Sequence, residues 1–305
     1  MIFDYIYLLE RGYGNYLMAQ GIPPMGLDEE EEHNYRVKFQ EAIETEDLED
    51  PYVYLFKSYT ELDDDQAESY YRKACTYFPD NIDVRAAAVD HAGDLMEKLA
   101  LCRSLIDELK ETEEIKDAIK EDPGNLVLYA ETATYCFLNA EYFRDLVMAG
   151  MEHKAYEVAR YITESLDDAD ELMLQDDFFA LYVQLGKKED AKAIYDDIYD
   201  VEKVLCPLLM SVLHYEYHEM DEAGKYLDLA VENGEGVPNV LKECMEFYDS
   251  FEPDEKNIAE RDVFDIGDDY SDNDVLYGFI TEHDNLFAPV FGYFLWALDR
   301  LGIEE

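Results

Sequence analysis

Apolar residues recur at steps of three and four along most of the chain, the period of a helix that buries one face. Residues 2 to 20 follow that period, and GIPPMG (21–26) stops them. DEEEEH (28–33) supplies carboxylates where a helix N-terminus favours them, so a second helix is expected to run to about Ile43. ETEDLEDP (44–51) reads as a loop and a start signal. Turn signals then fall at LDDD (62–65), FPDN (78–81), DPGN (122–125), Gly150, Gly186, ENGEGVP (232–238) and FEPDE (251–255). They cut the chain into segments of roughly 12 to 18 residues, a length common for paired antiparallel helices. Strictly alternating β-branched runs and Asn-Gly hairpin signals are absent, so an all-α fold is expected.

Two stretches break the rhythm. Residues 251–274, ending in FDIGDDYSDND (264–274), are acidic and lack helical spacing, and are expected to form a loop or linker. FAPVFGYFLWALDRLG (287–302) is a strongly apolar helix that carries the only tryptophan, Trp296.

Within the rhythm lies a repeat. GKKEDAKAIYDDIYD (186–200) sets Ala191, Tyr195 and Ile198 after Gly186, at steps of four and three. Gly150 stands at the same offset before Ala155, followed by Ala159 and Ile162. Ala223, Leu227 and Ala230 repeat the steps, with Met220 near the turn, and Ala67, Tyr71, Ala74 and Pro79 give an earlier copy. Ile115, Ala118 and Pro123 keep its later part, and the stretch 82–121 is otherwise out of register. Positions 155, 191 and 223 are separated by 36 and 32 residues. Tyr52, Leu55 and Tyr59 precede the first copy, and Phe178, Phe179 and Tyr182 precede the copy after Gly186, as partner helices would.

This pattern resembles the tetratricopeptide repeat, a helix–turn–helix unit of about 34 residues with small and aromatic residues in its second helix. The resemblance covers residues 50 to 245 and implies an α-solenoid of antiparallel helix pairs. Residues 1–45 would be N-terminal capping helices, 46–250 the array, and 275–305 a C-terminal capping helix, which is alternatively an exposed docking patch. The resemblance also implies a concave groove lined by Ala140, Arg144, Val147, Asp176, Ala180, Val183, Leu208, Val212 and Tyr215.

Composition narrows the classes of partner. Of 305 residues, 74 are Asp or Glu and 24 are Lys or Arg, for a net charge of −50. Such a surface repels phosphate backbones and anionic lipid headgroups, and attracts basic proteins. The five cysteines, Cys75, Cys102, Cys136, Cys206 and Cys244, lie far apart and suit buried thiols in a reducing cytosol. The N-terminus lacks a basic leader, and no run of 18 apolar residues exists, so a cytoplasmic protein with no membrane span is expected.

Catalytic and metal-binding patterns are weak. His214 and His218 in HYEYH stand four apart, as on one helical face, but Tyr215 occupies the position where a zinc protease needs glutamate. A calcium loop read from Asp268 meets Tyr270, Asn273 and Phe279 at its third, sixth and twelfth positions, where oxygen ligands and glycine belong. Cys206 precedes Pro207 near a helix start without a histidine partner, and is expected to be a packing residue. Neither G-x-S-x-G, G-x-x-x-x-G-K nor G-x-G-x-x-G occurs. The expectation is a non-catalytic adaptor, without cofactor or metal, that holds a basic peptide or protein in its groove. An acidic nucleic-acid mimic or sequestering protein, and an α-helical metal-dependent enzyme subunit, remain alternatives.

Overall fold

The computed structural model describes residues 2–3, 5–23, 26–45, 48–166, 172–249 and 272–303, and these are helical without a strand. The chain forms two compact units, Met1–Leu172 and Met173–Glu305.

In the first unit the helices are α1 (Tyr5–Ala19), α2 (Glu29–Glu44), α3 (Pro51–Thr60), α4 (Asp64–Tyr77), α5 (Ile82–Ala87), α6 (Leu95–Lys110), α7 (Glu113–Glu121), α8 (Ala130–Met148) and α9 (Glu152–Tyr161). Short polar side chains start most of them. Asp28, Asp50, Asp63, Asn81, Asp94 and Thr112 each accept a hydrogen bond from the first turn of the helix that follows. Each such cap stabilises its helix by about 1 kcal/mol. At α2 the cap is reciprocal, with Glu31 returning a bond to the Asp28 backbone, and Pro51 opens α3 where a missing N–H does no harm. The core draws Leu8 from α1, Leu55 from α3, Val84 from α5, Cys102 from α6 and Phe143 from α8. Tyr13, Leu17, Phe39 and Val53 join α1, α2 and α3 in a satellite cluster.

In the second unit the helices are α10 (Gln175–Gln184), α11 (Lys188–Ile198), α12 (Leu205–Glu216), α13 (Met220–Asn233), α14 (Val237–Asp249), α15 (Asp272–Glu282), α16 (Asp284–Phe287) and α17 (Phe291–Leu301). α10 packs with α11, α12 with α13, and α14 with α15 and α17. The acidic stretch 251–274 lies mostly outside the described residues, and its last three belong to α15. None of α10 to α13 has a side-chain cap at its start.

The repeat seen in the sequence is a repeat of turns. After α8, Gly150 N–H bonds Val147 O at 3.0 Å and Met151 N–H bonds Leu146 O at 2.8 Å. After α10, Gly186 bonds Val183 at 2.9 Å and Lys187 bonds Tyr182 at 2.7 Å. After α12, His218 bonds Tyr215 and Glu219 bonds His214, both at 2.9 Å. All three are Schellman turns, which close the orphan carbonyls of a helix end around one left-handed residue. That residue is Gly150 (φ 65), Gly186 (φ 64) and His218 (φ 58). The next helix then buries the small or apolar positions of the repeat: Ala155 and Ala159, with Ile162 in the π-helical turn that follows; Ala191 and Ile198; Ala223, Leu227 and Ala230.

Candidate functional site

The residues implied as groove-lining separate into two sets. Ala140, Ala180, Val183, Leu208 and Val212 are at most 3% exposed and pack inside their own units. The reason is α12, where every residue from Leu205 to Leu213 is buried. A helix apolar on all sides must be covered on all sides. Part of its cover is the C-terminal segment. The Tyr215 ring sits 5.5 Å from Tyr293 and 5.3 Å from Trp296 of α17, and Tyr293 donates to Ser211 Oγ at 3.0 Å. α16 packs on α10, and His283 Nε2 lies 3.2 Å from Asp177 Oδ1. Asp176, beside it, is half-buried, and burial together with Glu202 and Asp177 raises its carboxyl to about 6. In the second unit the face expected to be open is therefore occupied by the chain's own helices.

Arg144 and Val147 remain at the surface of the first unit, exposed and half-buried, near the end of α8. One residue on, Met148 is 64% exposed and forms one wall of a cleft of about 600 Å³. Tyr59 from α3, Val89 to Ala92 from the loop after α5, Asp94 at the cap of α6, and Leu95 and Lys98 from its first turn complete the wall. α6 packs on α8, which sets these groups opposite one another. Sequence reasoning missed this cleft, because its parts are contributed by segments up to 89 positions apart, from Tyr59 to Met148.

Charge is fixed in the cleft by a small network. Lys98 Nζ is paired with Glu141 and stands 3.1 Å from Asp145 Oδ1. Glu141 and Asp145 are buried, one helical turn apart on α8. Burial alone would lower the Lys98 ammonium's pKa, but the two carboxylates hold it above its ordinary value. Burial raises the Asp145 carboxyl, with Lys98 opposing. Tyr59 donates to Asp90 Oδ2 at 2.7 Å, and the backbone N–H of Ile2 bonds the same oxygen at 2.9 Å. Asp94 is turned to α6, where it accepts from Glu97 N–H at 2.9 Å. The His91 ring stacks on Tyr71 at 3.7 Å. Behind the network, burial and then Asp145 push the Cys102 thiol up to about 12, so it stays protonated.

The remaining chemical candidates find structural places. α12 ends at Glu216, so His218 does not share a helical face with His214. It is the left-handed residue of the turn, while His214 Nδ1 pairs with Glu219 at 2.6 Å. Among the described residues no three His, Cys, Asp or Glu side chains converge as a metal site. The reading of a calcium loop from Asp268 lies largely outside the described residues. Cys206 is fully buried, and burial raises its thiol to about 12. No described helix is long and apolar enough to cross a membrane.

Neither a protein-family model, nor a curated protein, nor a solved structure matches the chain.

Proposed function

We propose that this chain is a non-catalytic, cytoplasmic interaction protein that binds a basic protein or peptide. Its helix pairs would form a tetratricopeptide-like array, closed by α1 and α2 at one end and α17 at the other. The observation that carries this reading is the unmatched acid surface. Carboxylates outnumber basic groups 74 to 24, and several of the described basic groups are themselves engaged by carboxylates. Arg36 is held by Glu10 and Glu32, Arg85 by Glu108, Lys188 by Glu219 and Arg300 by Asp228. The field outside the molecule is consequently negative and would steer a cationic partner. The spacing of the buried positions after Gly150, Gly186 and His218 supports the array. With the second unit's inner face covered by α16 and α17, the end of α8 with Arg144 and Val147 is the surface assigned to the partner.

The test is anisotropy of a labelled peptide alternating lysine and alanine, titrated with the purified protein in rising salt. Binding at low salt that weakens as screening grows is expected, with no binding of the glutamate–alanine counterpart. Equal indifference to both peptides would end the basic-partner reading.

A further inference from the structure

Both ring nitrogens of His283, in the second unit, face hydrogen-bond acceptors. Nδ1 lies 2.8 Å from the Phe279 carbonyl oxygen, and Nε2 lies 3.2 Å from Asp177 Oδ1. A neutral imidazole carries one N–H and one lone pair, so it satisfies only one of these oxygens, whereas the imidazolium donates to both. The side chain is 17% exposed and stacks on the Phe279 ring at 3.9 Å, so water does not readily replace a lost partner. The arrangement is therefore that of the doubly protonated ring. His283 also sits at a junction. It separates α15 from α16, and its carbonyl accepts from the Leu286 and Phe287 N–H groups at 2.9 and 3.1 Å. Ile280, Leu286 and Phe287 are the buried apolar anchors on either side, and α16 packs on α10, which carries Asp177. The titratable groups facing the ring among the described residues are acids. Asp177 and Asp176 come from α10, Glu282 precedes the ring on its own helix, and Glu202, before α12, faces Asp176. On α14, which packs on α15, the Tyr248 hydroxyl donates to the Ile280 carbonyl at 2.9 Å.

We propose that His283 is a proton-operated clasp that fastens the junction of α15 and α16 to α10, closed when the ring is doubly protonated and loosened when it is neutral. On losing a proton the ring keeps the Phe279 carbonyl, four residues back on its own helix, and turns a lone pair toward Asp177. Burial opposes the charged ring, and the Asp177 and Phe279 oxygens outweigh it, holding the imidazole above its ordinary value. Asp176 gains its charge as pH passes about 6, which favours the imidazolium beside it. Once the ring is neutral, Asp176, Asp177 and Glu202 are left as like charges without that cation. Leu286 and Phe287 still hold α16 by apolar packing, so the proton sets how often the junction opens and not whether the segment binds. The clasp is independent of the basic-partner reading, whose surface lies in the first unit.

The experiment uses the full chain and follows hydrogen exchange of residues 279–287 from about pH 5.5 to about pH 8.5, corrected for the intrinsic pH dependence of exchange. The amides of α12 in the same runs report opening of the whole unit. The opening of 279–287 is expected to rise about tenfold over that interval, with α12 rising less than about twofold. In Asp177→Asn the amide can donate to the lone pair of a neutral ring, so the rise at 279–287 should fall below about twofold. Asp177 is 34% exposed, and protection of α12 in the variant checks that the fold is kept. A flat profile in the wild type, a rise that α12 shares in full, or the same rise in Asp177→Asn would overturn the clasp. Nitrogen chemical shifts of the wild-type His283 ring give a second measurement that needs no variant. Both nitrogens are expected to carry protons at about pH 6, and a neutral ring there would overturn the proposal as well.

Discussion

At the centre of the first unit lie charges. Asp83 is fully buried, bonded by Thr134 and 3.6 Å from Arg11, and Glu141 and Asp145 are buried against Lys98. At the centre of the second unit, Ser211 is the one buried polar side chain among the described residues, and around it Leu205 to Leu213 form an apolar helix. Helix starts differ in the same sense. Most in the first unit begin on a side-chain cap, whereas α10 to α13 begin without one and depend on tight turns and packing. The difference teaches that one chain holds helices together by two means. Where buried ions set the arrangement, losing one partner is the costly event. Where apolar packing sets it, losing volume is.

The largest effect should come from leaving buried acids without their cation. Lys98→Met is expected to destabilise the first unit by about 3–5 kcal/mol, because two carboxylates are left in low dielectric. Hydrogen exchange should accelerate in α6 and α8 and stay unchanged in α12. Unchanged exchange in α6 would break the comparison. In the second unit, Leu208→Ala should cost about 2–5 kcal/mol through a cavity, read from the urea midpoint of Trp296 fluorescence. A loss below about 1 kcal/mol would mean that α12 is not the packed centre.

pH sharpens the contrast. Asp176 is raised to about 6 by burial and by Glu202 and Asp177. His283 is held above its ordinary value by Asp177 and the Phe279 carbonyl, against the pull of burial. Both groups bind a proton more tightly when folded. The stability they add is fully present below their unfolded values and is lost as pH rises, through about 6 for Asp176. Between about pH 5 and about pH 7.5 the second unit should lose about 1–2 kcal/mol, after discounting for solvent screening. A Trp296 midpoint that rises over that interval would contradict the assignment, and Asp177→Asn should flatten the His283 part.

The smallest effect tests the turns. His218 occupies the place that Gly150 and Gly186 hold in the other two, so His218→Gly should stabilise by about 1 kcal/mol. Gly186→Ala should destabilise, because its φ is +64 and a Cβ would lie 2.9 Å from the Tyr217 hydroxyl.

These turns also measure what could be read from the sequence. Gly150 and Gly186 announce their left-handed positions by composition, and the alanines five residues later mark the buried face. His218 carries no such signal, and its spacing from His214 imitates a metal pair until the helix end is placed at Glu216. The burial of Leu208 and Val212 had a signal that spacing alone passes over. LCPLLMSVL (205–213) has no polar face, so its Leu208 and Val212 could not border solvent. The cleft was not legible. Lys98 meets Glu141 across 43 positions, and a chain with 74 acids gives no local means of telling which of them are buried.

The most direct test of the account is hydrogen exchange of the intact chain with and without the lysine–alanine peptide. The account predicts new protection at the end of α8, with α12 and α17 unchanged. Protection confined to the second unit, or spread evenly over both, would contradict it.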